Sequence, residues 1–176
     1  MKKFLFLLLS PFIVYATPYD SNLLQIGAKI FPKITVMEKG TSERIQTNVN
    51  IFIVSTSATR SDAQRLSGMI ESQYGGILSS HPLSLNIISP RDIMEMKNAH
   101  ALILLMDTND PNLSSLLDFV QRNRILTFSF DPELLSKGVA VSLYIGRSVK
   151  PYINLSTLKQ TPFIFEYGFL KLSQPY

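Results

Sequence analysis

Val49-Asn50-Ile51-Phe52-Ile53-Val54-Ser55 is a nearly continuous apolar run dominated by β-branched residues, the pattern of a strand buried on both faces of a parallel sheet. Working outward from it, strands and helices alternate. Ser61 with Gln64 forms a capping-box pattern that opens a helix to Tyr74, and Gly75-Gly76 closes it. Leu83–Ile88 reads as the second strand. Ser89-Pro90 then supplies a serine N-cap and a proline at the first helical position, predicting a helix to Asn98. Ala101–Met106 is the third strand and the most apolar of all. Asp110-Pro111 repeats the cap-plus-proline device for a helix to Asn123, and Ile125–Ser129 is the fourth strand. Asp131-Pro132 uses the device once more, for a short helix that Gly138 ends.

The grammar changes on either side of these units. Val139–Ile145 and Val149–Ile153 are strand-like and flank Gly146-Arg147-Ser148, which predicts a hairpin. Leu155–Gln160 reads as one or two helical turns. Phe163–Leu172 is so apolar that period 2 and period 3.6 fit it equally. Upstream, Asn22–Phe31 predicts a helix stopped by Pro32, Ile34–Val36 a strand, and Glu38–Thr47 a loop. The alternation predicts an α/β fold: a three-layer, mostly parallel twisted sheet with helices on both faces and a C-terminal antiparallel hairpin. The expected order places the second strand outermost, then the first, third and fourth, then the hairpin. Ala101–Met106 has no polar face to show to water and must lie inside the sheet.

The first sixteen residues follow a different logic. Lys2 and Lys3 precede the apolar run Phe4–Leu9; Ser10-Pro11 interrupts it, and Phe12–Val14 resumes it before Val14-Tyr15-Ala16. Charge, a short apolar core and small residues in that order describe a secretory signal peptide. The run is shorter than the roughly 20 apolar residues of a membrane span. Residues 1–16 are therefore read as a signal peptide, and 17–176 as one domain working in the periplasm. There is no cysteine, which excludes a lipoprotein anchor and a disulfide framework. The formal charge of +4 includes Lys2 and Lys3, and the other basic residues are scattered singly. Nucleic-acid binding needs a basic stripe, which is absent.

Chemistry has little sequence support. In open α/β sheets, ligands sit at the carboxyl ends of the strands. The loop after the first strand, Ser55-Thr56-Ser57-Ala58-Thr59, lacks the glycines of a dinucleotide fingerprint or a P-loop. Its hydroxyls, Ser55, Thr56 and Ser57 foremost, could hold a small anion, although capping is their commoner use. Asp107 follows an apolar strand as the phosphorylated aspartate of a receiver domain does, but the acidic pair such a domain needs after its first strand is missing. His81 and His100 belong to no spaced ligand set, and no Gly-x-Ser-x-Gly elbow occurs. The expectation is a protein that is not an enzyme and uses no cofactor or metal. The apolar C-terminal segment offers a partner surface instead, through Phe163, Phe165, Tyr167 and Phe169, with Tyr144 and Arg147 at the hairpin as a smaller contact. The alternative for the segment is a core element.

From Leu85 to Ser173 the sequence resembles the YfiR-like (HmsC-like) family of periplasmic proteins. The resemblance is carried by Ser89-Pro90-Arg91-Asp92 before an Ala99–Met106 strand, by Leu126-Thr127-Phe128-Ser129, and by Lys137-Gly138-Val139-Ala140-Val141 in place of a Gly-Gly-Met-Ile segment. Lys150-Pro151-Tyr152-Ile153-Asn154-Leu155 is similar to the family's hairpin return, and Phe169-Leu170-Lys171-Leu172 to its closing leucines. Lys137 departs from the first glycine of the family pair, and Phe165-Glu166-Tyr167-Gly168 replaces an Ile-Ser-Ser. The resemblance implies a signalling regulator that contacts the periplasmic sensor region of an inner-membrane diguanylate cyclase or sensor kinase. Cyclic-di-GMP and biofilm control are the implied output, and a homodimer is compatible with it. The alternative is a small-molecule-binding protein, as a sensor input or a solute-binding component.

Overall fold

The computed structural model describes residues 19–96 and 98–176; the expected signal peptide, residues 1–16, lies outside them. Helices α1 (Ser21–Met37) and α2 (Lys39–Arg44) precede β1 (Val49–Ser55). Then come α3 (Arg60–Tyr74), β2 (Ile77–Leu78), β3 (His81–Ile88), a 3-10 turn (Ile93–Glu95) and β4 (Ala101–Leu105). They are followed by α4 (Leu113–Arg122), β5 (Leu126–Ser129), a 3-10 helix (Pro132–Lys137), β6 (Val141–Ile145) and β7 (Val149–Ile153). Helices α5 (Leu155–Gln160) and α6 (Tyr167–Leu172) and the short β8 (Gln174–Pro175) complete the described residues.

The strands form one mixed sheet in the order β2-β3-β1-β4-β5-β6-β7-β8. From β3 to β6 all neighbours are parallel, β7 returns antiparallel to β6, and β8 lies parallel to β7. The predicted α/β class, strand order and C-terminal hairpin are all present. Every residue of β4 is without accessible surface, so both sheet faces must be covered. Ile51, Ile53, Ile103 and Leu105 face Leu24, Phe31 and Ile34 of α1 and Leu66 and Ile70 of α3. Phe52, Val54, Leu102 and Leu104 face Leu113, Leu116 and Val120 of α4, with Leu134 and Leu135. This is the period-2 alternation of a strand, serving two cores at once.

The structure corrects four local expectations. Helix α1 runs through Pro32 to Met37, so Ile34–Val36 is its last turn and not a strand. A proline inside a helix forfeits a hydrogen bond and costs about 3 kcal/mol; here Phe31, Pro32 and Ile34 are all buried, and packing on the sheet outweighs that loss. The expected loop from Glu38 to Thr47 contains α2, because the buried Glu38 carboxylate accepts from the Gly40 and Thr41 amides and caps it. Helix α3 is preceded by Thr59 rather than Ser61. The helix expected over 90–98 shrinks to one 3-10 turn. Ser89 Oγ there accepts from Arg91 N at 3.3 Å, a turn bond that competes with helical pairing.

Strand β2 is new. Ser79 and Ser80 join it to β3 with φ of 48° and 68°, the left-handed pair a two-residue hairpin turn requires. Asn-Gly is the usual signal for that turn, and two serines concealed it.

Gly27 sets how closely α1 approaches the sheet, since a Cβ there would lie 2.3 and 2.4 Å from ring atoms of Phe130. Gly68 in α3 faces open space. Gly27→Ala should therefore cost about 1–3 kcal/mol through overpacking, despite a helix-propensity gain of about 1 kcal/mol. Gly68→Ala should raise stability by that propensity gain. Parallel thermal melts check both signs; a stabilised Gly27→Ala would contradict the packing at Phe130.

Candidate functional site

The chain leaves β1 toward β3 on one side and returns to β4 on the other. The switch point where such sheets bind ligands therefore lies between the carboxyl ends of β1 and β4. Here it is stitched shut. Thr59 Oγ1 donates to Leu105 O at 2.6 Å, across the gap, and accepts from Thr56 N at 3.1 Å. Thr59 N returns a bond to Thr56 O at 3.3 Å. Of the anion-loop candidates, Ser55 is buried with an unpartnered Oγ, Thr56 is turned into this internal lattice, and Ser57 is exposed. The three do not converge on a shared hollow.

The aspartates of the neighbouring loops are likewise absorbed by turns. Asp107 Oδ1 accepts from Asn109 N at 2.8 Å, Asp110 Oδ1 from Asn112 N at 2.8 Å, and Asp131 Oδ1 from Glu133 N at 2.9 Å. Asp62 is fully buried and paired with Arg65 at 2.8 Å, while its Oδ2 has no partner among the described residues. Over this end lies Tyr19, which sequence reasoning missed. Its ring packs on Phe130 at 5.6 Å. Burial first, and then the charges of Asp131, Asp62 and Asp107, push its phenol up to about 12. A single tyrosine before a helix carries no sequence signal; only the fold brings it to three loops separated by tens of residues. Among the described residues, no group of His, Asp or Glu is disposed to hold a metal ion.

At the amino end of the sheet a polar hollow of about 260 Å³ is lined by Arg44, Asn50, Asn98 and His100, among others. His100 Nδ1 accepts from Asn50 N at 3.0 Å, and His100 N donates to Asn50 O at 2.9 Å, so the imidazole is a rung between β1 and β4. Arg44 donates to the carbonyls of Gly40, Asn123 and Arg124 and to Thr41 Oγ1, which fixes α2 against the turn before β5. Both groups serve the fold.

The proposed partner residues separate into two kinds. Phe165 and Phe169 are buried and pack on each other at 4.8 Å, and Phe163 is half-buried against the same core; Phe165 and Phe169 cannot serve as exposed contacts. Their segment is anchored by Glu38, which accepts from Ile164 N at 2.7 Å, while Lys39 N donates to Ile164 O. Tyr167 is 79% exposed on α6. Tyr144 is 41% exposed and Arg147 is exposed at the hairpin tip. Tyr144 also belongs to a row that sequence reading did not find. Its ring meets Tyr152 at 5.6 Å, and Tyr152 meets Tyr176 at 5.4 Å, both edge-on. Ile145, 64% exposed, points to the opposite face of the same strand. Cross-strand pairing of β6, β7 and β8 assembles the row from three separate stretches.

The fold and its surfaces define an α/β domain with a closed switch point. No protein-family model matches the sequence, and no curated protein does. Among solved structures it is similar to a conserved domain protein from Vibrio cholerae O1 biovar El Tor, at TM-score 0.60 and 9% identity over 86% of this chain. It is also similar to the ABC domain from Streptococcus pneumoniae in complex with L-Trp, at TM-score 0.62 and 9% identity over 87% of this chain. The chain spans 59% and 62% of those two chains. At such identity the likeness establishes the α/β fold alone.

His100 makes a pH prediction. Its pKa is lowered chiefly by burial; a hydrogen bond to the Arg44 backbone opposes this, and the Arg44 and His81 charges reinforce it. The unfolded chain thus takes up this proton at a higher pH than the folded one, so stability falls as pH drops through the ordinary imidazole range near about 6.5. His100→Asn keeps an acceptor for Asn50 N but does not titrate. Melting temperatures between about pH 7.5 and pH 5.5 should fall more steeply for the parent than for this variant. Parallel curves would show that His100 is not the group responsible.

Proposed function

We propose that the domain is a non-catalytic, periplasmic regulatory module that binds the periplasmic sensor region of an inner-membrane signalling enzyme, a diguanylate cyclase or sensor kinase. The observation that carries the binding surface is the Tyr144–Tyr152–Tyr176 row at the β6-β7-β8 end of the sheet, with Tyr144 and Tyr176 exposed. Tyrosines with apolar rings and polar tips are favoured at protein interfaces. At the usual ligand position Thr59 is bonded across β1 and β4, and Asp107, Asp110 and Asp131 each hold a turn. The class of partner rests on the YfiR-like resemblance of Leu85–Ser173 and on the signal peptide read in residues 1–16.

A second reading is a small-molecule-binding domain, favoured by the S. pneumoniae neighbour, which was solved with L-Trp. In this chain Tyr19 and Phe130 form a packed aromatic pair beside the loops of Asp107 and Asp131. A thermal shift with L-Trp that is lost in Tyr19→Ala would favour this reading over the first.

The test is capture from solubilised inner membranes by the exported protein, which should begin at Thr17. Burying the exposed two-fifths of Tyr144, on a side chain of about 200 Å², is worth about 2 kcal/mol, some thirtyfold in affinity. Tyr144→Ser should therefore weaken capture of the signalling enzyme by tenfold or more, with the melting temperature lowered only by the loss of the Tyr144–Tyr152 contact and the variant still folded at the capture temperature. Capture unaffected by both Tyr144→Ser and Tyr176→Ser would remove this surface from the account.

A further inference from the structure

The opposite end of the sheet holds a strand with an open edge. The outward-pointing backbone groups of β3 belong to alternate residues. Leu83 N donates outward to Gly76 O at 2.8 Å, so Leu85 and Ile87 also point outward. Arg60 Nη1 reaches Ile87 O at 3.4 Å from the same side. Strand β2 covers only the start of β3, pairing Ile77 with Pro82 and Leu78 with His81. From Ser84 to Ile88 no strand lies outside β3 among the described residues.

Proteins usually guard such an edge with charge, proline, a bulge or a covering element. Ser84-Leu85-Asn86-Ile87-Ile88 carries no charge or proline of its own, and Arg60 reaches it at Ile87 O, whereas the far edge ends in a two-residue strand carrying Pro175. Ile77, 59% exposed, flanks the open stretch. We infer that this edge pairs with the same edge of a second copy, antiparallel about a two-fold axis through Asn86. The open stretch runs five residues from where Gly76 stops, and Asn86 is its centre.

That centre is self-complementary. Leu85 falls opposite Ile87 of the second copy as a hydrogen-bonded pair, and Ile87 opposite Leu85, using the backbone groups that point outward; Ile87 O, which holds Arg60 Nη1 at 3.4 Å, accepts through its other lone pair. Both apolar side chains lie on the α1–α3 face, half-buried against the first core, so pairing sets apolar against apolar there. Asn86 meets its own copy on the other face, with exposed amides that can donate and accept. Residues 84–88 themselves carry no charge to repel a like strand. This contact does not depend on the partner proposed above, because the tyrosine row occupies the other end of the sheet.

The absence of cysteine makes the register testable. Two copies of residue 86 would face each other as a non-hydrogen-bonded pair with Cα atoms about 4.5 Å apart, within disulfide reach. After mild oxidation, Asn86→Cys should run at twice its mass on a non-reducing gel, and Ser84→Cys should not. In sedimentation equilibrium the parent should be a dimer and Asn86→Lys, which sets two like charges on the axis, a monomer with an unchanged melting temperature. A monomeric parent, including one whose edge is taken by another protein's strand, would overturn the proposal. Equal cross-linking of Ser84→Cys and Asn86→Cys would overturn it too.

Discussion

Burial of β4 on both faces is the constraint from which the rest follows. Ala101–Leu105 has no polar face and no accessible surface, so helices must cover the sheet from each side. Each fully buried leucine or isoleucine contributes about 1.5–3 kcal/mol relative to exposure, and Leu102, Ile103, Leu104 and Leu105 stand in a row. The same demand explains why α1 tolerates Pro32: Phe31 stacks on Phe128 at 4.7 Å, and unwinding the helix at the proline would expose that contact. It also explains why Gly27 is small, since Phe130 needs the space above the sheet.

The cores consume the groups that would otherwise make a ligand site. Thr59 spends its hydroxyl holding β1 to β4, Asp107, Asp110 and Asp131 spend their carboxylates on turns, and Tyr19 covers what remains. The proposed contacts therefore lie at the ends of the sheet. At one end Tyr144, Tyr152 and Tyr176 line up across β6, β7 and the end of β8; at the other, β3 runs beyond β2, with no further strand outside it among the described residues. The Glu38 carboxylate links the regions, capping α2 while accepting from Ile164 N, so the C-terminal aromatic segment is bound to the first helices rather than free.

Most of the fold was legible because it is written in local pattern. Val49–Ser55 declared a buried strand, Asp131-Pro132 a helix start and Gly138 its end, each through a short-range rule that the structure obeys. The misreadings came where tertiary packing overrode a local signal, as at Pro32, or where an uncommon residue took a turn position, as at Ser79-Ser80. The candidate surface was legible only in part. Composition singled out Phe165 and Phe169 because they are aromatic, but burial depends on which way a helix turns, and α6 turns Phe169 inward and Tyr167 outward. The tyrosine row joins residues 144, 152 and 176 through strand register, which no window of sequence contains.

The central claim is that partners meet the β6-β7-β8 end of the sheet and not its closed switch point. Hydroxyl-radical footprinting tests it directly, because the described tyrosines sample both places. With the protein lacking residues 1–16 bound to inner-membrane vesicles from its own cells, Tyr144 and Tyr176 should lose reactivity while Tyr19 keeps its own. Protection of Tyr19 with Tyr144 and Tyr176 unchanged would place the contact at the carboxyl ends of β1 and β4 and contradict the account.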